Sequence, residues 1–144
     1  MSIARVALDC PVDSLFDYRI KGPLELGQLL VVPFGRRRQV GLLVALAQQS
    51  EIATARLRDV ESVLPVEPLP AEILGLIRFC SDYYHYPIGQ TAFTALPSAL
   101  RRVGYQGPRP RWQYVLTAAG RALDPDFLPA RAGLKRRLLE VFQA

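Results

Sequence analysis

The sequence predicts an α+β fold: a small β-barrel-like antiparallel domain with a packed helical hairpin, then a linker and a truncated second unit. Three observations predict it. The first ~65 residues divide into short apolar segments, several alternating with period two. From Ala71 the apolar residues recur at helical spacing. At 104–110 the composition shifts to the turn-rich stretch GYQGPRP. A chain of 144 residues makes one domain, or one and a fraction, and is long enough to bury a real core.

Taken in order, Ile3 to Leu8 reads as a short strand. Phe16 to Ile20 (FDYRI) reads as a half-buried one, with Phe16 and Tyr18 on one face and Asp17 on the other. Leu29 to Val32 forms the next strand and is expected to stop at Pro33. Phe34 to Arg38 is a Gly-containing turn, and Gln39 to Ala47 is the longest strand. Gly41 inside it signals a bulge or a close backbone approach. A weaker strand at Val60 to Leu64 closes the barrel. Pro65 to Pro70 (PVEPLP) holds three prolines in six residues and is expected to be a stiff linker.

Ala71 to Tyr84 then forms an amphipathic helix whose core face is Ile73, Leu76, Ile77, Cys80, Tyr83 and Tyr84. His85-Tyr86-Pro87 ends it, and Ile88 to Leu96 makes a second helix. After 104–110, Trp112 to Leu116 is strand-like, Thr117 caps a short helix over 118–123, and Leu134 to Phe142 is helical. That last helix has nothing after Ala144 to pack on, so the chain is expected to be a fragment of a longer protein. The domains so delimited are 1–104, a linker with a short strand and helix over 105–133, and a terminal helix over 134–144.

Composition narrows the function classes. The longest apolar run, about Leu42 to Ala47, is far short of the ~20 residues that span a bilayer. Met1 to Leu8 has no signal-peptide hydrophobic region. The expectation is a soluble cytoplasmic protein without a membrane partner. Cys10 and Cys80 read as reduced thiols, and with His85 they cannot furnish a metal site. No GxxxxGK[ST], GxSxG or GxGxxG is present, so no catalytic residue and no enzyme is expected in this chain.

The net charge is +5, and 16 of the 18 basic residues are arginine, whose planar fork suits phosphate. They cluster at Arg36-Arg37-Arg38, Arg56 with Arg58, Arg101-Arg102, Arg109 with Arg111, and Lys135-Arg136-Arg137. Such a stripe is the footprint of a nucleic-acid binder, or else a set of solvated tips.

Three segments stand out. Asp17, between Phe16 and Tyr18, is either a solvated edge carboxylate or lies in a cleft. In Val32-Pro33-Phe34-Gly35-Arg36-Arg37-Arg38, Gly35 permits close approach of a ligand and the arginines bring positive charge. In Asp82-Tyr83-Tyr84-His85-Tyr86-Pro87-Ile88-Gly89 the tyrosines could stack bases, although core packing of Tyr83 and Tyr84 is the better reading, and His85 reads as structural.

In this order and spacing (ALD-P…FDY, GxLLVVPFG, DYYHYPIGQ, FTALP) the segments resemble the N-terminal region of the PriA family, primosomal protein N′, the bacterial replication-restart helicases. The resemblance runs from about Ile3 to Arg102. More weakly, Trp112 to Ala144 resembles that family's linker and the first helix of its winged-helix domain. It implies a 3′-DNA-binding domain that captures the 3′-terminal nucleotide of the nascent leading strand at a stalled fork and orients the parent helicase for primosome assembly. The implied pocket residues are Phe16, Asp17, Tyr18, Gly35 and Arg58. Arg58 departs from the lysine expected there, and a gap over 48–56 leaves Arg56 as the alternative cation. Arg36, Arg37 and Arg38 would contact phosphates.

The implied partners are branched DNA with a free 3′ end, the rest of the helicase, single-stranded DNA-binding protein and other primosome proteins, in a nucleoid-associated setting. ATP with magnesium, and zinc, belong to parts of the family protein outside this chain, so no cofactor is expected here.

A carboxylate in a DNA site makes sense where no phosphate sits. Asp17 would accept a hydrogen bond from a 3′-OH and repel a 3′-phosphate, while Phe16 or Tyr18 would offer a surface to the terminal base or sugar. Two other readings stand beside this one. A generic OB-like single-strand binder would have no end preference, and a protein-interaction module would dock the helicase through its tyrosines and the Leu134 helix.

Overall fold

The computed structural model describes residues 2–107 and 113–143. It is α+β, and its chain divides into two units, Met1–Pro108 and Arg109–Ala144. In the first unit, strands β1 (Ile3–Leu8), β2 (Phe16–Arg19), β3 (Leu29–Phe34), β4 (Arg37–Ala47), β5 (Arg58–Asp59) and β6 (Ser62–Val63) form one sheet in the order β5-β2-β1-β4-β3-β6. β5 and β6 lie at opposite ends of that order, yet only Val60 and Glu61 separate them in the chain. Both can be true only if the sheet curls until its edges meet. Consecutive amides make that closure: Val60 N–H donates to the Arg19 carbonyl (3.0 Å) and Glu61 N–H to the Val31 carbonyl (2.9 Å).

Alternation gives the curled sheet two apolar faces. Ala4, Val6, Leu8, Tyr18, Leu30, Val32 and Leu43 fill the interior. Ala7, Leu29, Val31, Leu42 and Val44 face outward and are covered by helices α1 (Ala71–Tyr84) and α2 (Ile88–Ala95) through Leu74, Ile77, Ala92 and Phe93. α2 approaches β1 so closely that a Cβ at Gly89 would collide with the backbone of Leu8.

Several expectations need correction. β3 does not stop at Pro33. Residues 35 and 36 make a two-residue hairpin, so Phe34 and Arg37 are the bonded pair and Pro33 faces Arg38 in the next, unbonded one. The proline nitrogen therefore points to an edge that β6, paired only at Leu30 and Val31, leaves open. For the same reason β4 starts at Arg37 rather than Gln39. The closing strand expected at Val60 to Leu64 is instead two two-residue strands, β5 parallel to β2 and β6 antiparallel to β3.

At Gly41 the close approach is the correct reading, since a Cβ would run into the Val6 and Leu8 side chains. The bulge lies elsewhere: Arg5 faces Ala45 and Val6 faces Leu43, so Val44 is the extra residue of β4. Pro65 to Pro70 is tied down, with Leu64 N–H on the Leu29 carbonyl (2.8 Å) and Leu69 N–H on the Gly27 carbonyl (3.0 Å).

The core face of α1 is rotated from the expected one. Leu74, Ile77 and Ser81 are buried, whereas Leu76, Tyr83 and Tyr84 are 55%, 67% and 69% exposed. Ser81 faces inward because its hydroxyl donates to the Tyr86 carbonyl (2.7 Å) and its carbonyl accepts from Tyr86 N–H (3.0 Å), which fixes the turn into α2. Arg78 adds a bond from Nη2 to the Val44 carbonyl (2.7 Å).

Tyr105, expected in the linker, packs on the first unit's core. Arg109, Arg111 and Trp112 lie outside the described residues, and 113–116 form no strand. The second unit contains α3 (Ala118–Ala122), capped by Thr117 Oγ1 accepting from Gly120 N–H (3.2 Å), and α4 (Gly133–Gln143). Arg136 on α4 donates to the carbonyls of Pro125 (3.2 Å) and Leu128 (3.0 Å). No helix among the described residues is long and apolar enough to cross a membrane.

Candidate nucleic-acid interface

One end of the barrel gathers β2, the β3–β4 hairpin and β5. Gly35 opens the hairpin with φ +59°, the first central position of a II′ turn, which needs a glycine. Barrel closure brings Arg58 to that turn, where its Nη1 donates to the Gly35 carbonyl (2.8 Å). Of the two candidate cations it is thus Arg58 that meets Gly35. Arg56 sits in the preceding 3-10 turn, Thr54–Arg56, with its side chain exposed.

Tyr18, level with Arg58 across the β2–β5 ladder, donates its hydroxyl to the Pro33 carbonyl (3.0 Å) and is 4% exposed. Burial pushes its phenol up to about 12, against a smaller opposing pull from Arg58. It therefore offers no stacking surface and is a core residue that ties β2 to β3. Phe16 is half-buried at the same end, edge-to-face with Phe34 at 5.2 Å.

The three hairpin arginines do not form one patch. Arg36 is at the tip, Arg37 projects on the Phe34 side, and Arg38 projects on the Pro33 side, with Nη1 3.7 Å from Glu61 Oε2. All three are exposed.

Asp17 points the other way. On the outer face of β2 it lies across from Arg5, with Oδ1 3.7 Å from Arg5 Nε, in an open depression of about 380 Å³ lined by Arg5, Leu15, Asp17, Glu51 and Ile52. Further along that face Arg19 and Lys21 hold the Asp59 carboxyl below its usual range, chiefly through the Lys21 hydrogen bond and then that of Arg19.

Phe16, Tyr18 and Arg58 therefore converge with the Gly35 backbone at one end of the barrel, and the Asp17 side chain is separated from them by the thickness of β2. The two regions meet only at a strand edge. The β2–β5 ladder begins at Tyr18, which leaves Phe16 and Asp17 as open edge ahead of it. In that gap of the strand pairing, a notch in the ladder, Phe16 lies on one face, Asp17 on the other, and the Arg58–Gly35 contact beyond its end.

Arg5 and Glu51 stand in none of the segments that the sequence singles out, and Phe34 stands in one without a role of its own. Arg5 did leave a signal, as the one charge in the apolar hexapeptide IARVAL.

Comparison with known proteins gives a family match over residues 5–97, to the 3′DNA-binding domain (3′BD) of PriA. The chain is 30% identical over 124 residues to the replication restart protein PriA of Haemophilus influenzae, covering 84% of this chain and 17% of that protein. It is 35% identical over 102 residues to that of Rickettsia conorii, covering 67% and 15%. Against that of Bacillus subtilis it is 32% identical over 90 residues, covering 57% and 11%. The chain thus spans less than a fifth of the length of these relatives.

Proposed function

Because the chain belongs to the PriA 3′DNA-binding domain family, we propose that it binds branched DNA at a free 3′ end, without sequence preference, and orients a longer replication-restart protein on the fork. The observation that carries this reading is the open edge of β2 between Asp17 and the Arg58–Gly35 contact. A terminal nucleotide in the notch would place its 3′-OH toward Asp17, as a hydrogen bond to a charged acceptor worth roughly 1.5–3 kcal/mol. A 3′-phosphate there would place its charge directly against the Asp17 carboxylate, with Glu51 also near and Arg5 offsetting only part of the repulsion. The donors of Arg58 not spent on Gly35, with Arg36 and Arg37, would take phosphates further along the DNA, a contribution that ignores sequence and weakens with salt. The aromatic pair at the mouth favours shape over base identity, since Phe16 and Phe34 have no polar group with which to read a base edge.

The test compares two forked DNAs that differ only in a 3′-OH or 3′-phosphate on the leading arm, by fluorescence anisotropy. We expect the phosphate to weaken binding about tenfold or more. Equal binding would leave a basic DNA-binding domain with no end preference.

A further inference from the structure

We infer that Arg5 is a specificity-determining residue, the cation that grips the phosphate on the 5′ side of the terminal nucleotide while Asp17 takes its 3′-OH; this rests on the 3′-end reading above. Every other residue of β1 is buried, and Arg5 alone is exposed, at 46% of its side chain. Arg5 pairs with Asp17, itself 13% exposed, but the 3.7 Å separation is too long for a hydrogen bond, so the guanidinium keeps its donors.

The backbone around Arg5 is shaped to aim it. The β-bulge falls between Arg5 and Val6, where the extra residue Val44 on β4 breaks the ladder, and bulges re-aim neighbouring side chains. The Val44 carbonyl is held by Arg78 Nη2 from α1 at 2.7 Å, so the irregularity is bonded in place. Among the described residues that line the depression the only cation is Arg5, set against the carboxylates of Asp17 and Glu51. A nucleotide whose hydroxyl reaches Asp17 has its own 5′-side phosphate about one sugar away. Arg5 is the positive group there, and a guanidinium fork suits it. Reversing the strand would bring the phosphate to the carboxylates, so the pair also sets polarity.

The test uses this chain and a fork whose last internucleotide linkage on the leading arm is either a phosphodiester or an uncharged methylphosphonate. The neutral linkage should weaken the native chain about tenfold and Arg5→Gln less than about twofold, with Arg5→Lys between them. Equal weakening of the native chain and Arg5→Gln overturns the role of Arg5. The 3′-OH and 3′-phosphate forks run alongside separate the two readings. If the native chain prefers the 3′-OH, only the role of Arg5 is at stake. If it does not, the end-capture reading falls and this inference falls with it.

Discussion

On the inner face of β2, Tyr18 is buried, its hydroxyl is spent on the Pro33 carbonyl, and its neighbours are Phe16, Phe34 and the interior apolar side chains. On the outer face, one residue away, Asp17 sits in an open, charged depression opposite Arg5. The two faces share a backbone and differ in what they can give up. Tyr18 ties β2 to β3 across the barrel, so its chemistry is consumed by the fold. Asp17 is 13% exposed and its contact with Arg5, at 3.7 Å, is too long for a hydrogen bond, so its carboxylate keeps acceptor capacity. Adjacent residues of one motif thus divide into one that builds the site and one that faces it.

Mutations can break or sharpen that division. The largest effect should come from Tyr18→Ala, which empties a closed interior and should cost about 3–5 kcal/mol of stability in urea unfolding. Asp17→Ala should weaken binding to a fork with a free 3′-OH by about 10- to 150-fold and leave blunt duplex binding unchanged. Equal losses on both DNAs would place Asp17 outside the end-reading site.

Tyr18→Phe keeps the ring and loses one hydrogen bond, for about 1 kcal/mol. It should also remove an alkaline sensitivity. With the phenol pushed up to about 12 in the folded chain from 10.0, the folded state keeps a proton that the unfolded state releases. That contribution is therefore whole below pH 10 and is lost as pH rises from 10 to about 12. Unfolding curves across this window should be flatter for Tyr18→Phe.

Arg36→Ala and Arg37→Ala should each reduce the salt-dependence slope of duplex binding by roughly 0.9, and Arg38→Ala by less, because Glu61 already faces Arg38. Asp17→Ala, which removes a 13% exposed carboxyl from its pairing with Arg5, should cost no more than about 1 kcal/mol of stability. A larger loss would make Asp17 structural.

Much of this division was legible in the alternation of Phe16-Asp17-Tyr18, which put Asp17 on its own face. The five long elements β1 to β4 and α1 were legible too, because each repeats its period several times. β5 and β6 were not, since two residues carry no period and a parallel pairing of Tyr18 with Arg58 has no local signal. The core face of α1 was misjudged for a related reason. Leu74 and Ile77 compete with a richer stripe through Leu76, Cys80 and Tyr84, and the contest is decided by Ser81, a polar residue buried because it bonds the next turn. Pro33 misled as a strand terminator because proline is harmful in a strand only where its missing N–H faces a partner.

The closure at Val60 and Glu61 bears on when the site exists at all. The ladder pairs that hold Arg58 against Gly35 are two residues long and join segments about forty positions apart, so their loop-closure entropy is high and their hydrogen bonds are few. The amides of Val60 and Glu61 should exchange with solvent well before those of β1 and β4. The latch is expected to open while the helices and central strands stay folded. Under the proposed function, opening would take Arg58 from Gly35, and the occupancy of the latch would set an upper bound on the fraction of molecules able to capture DNA at any moment.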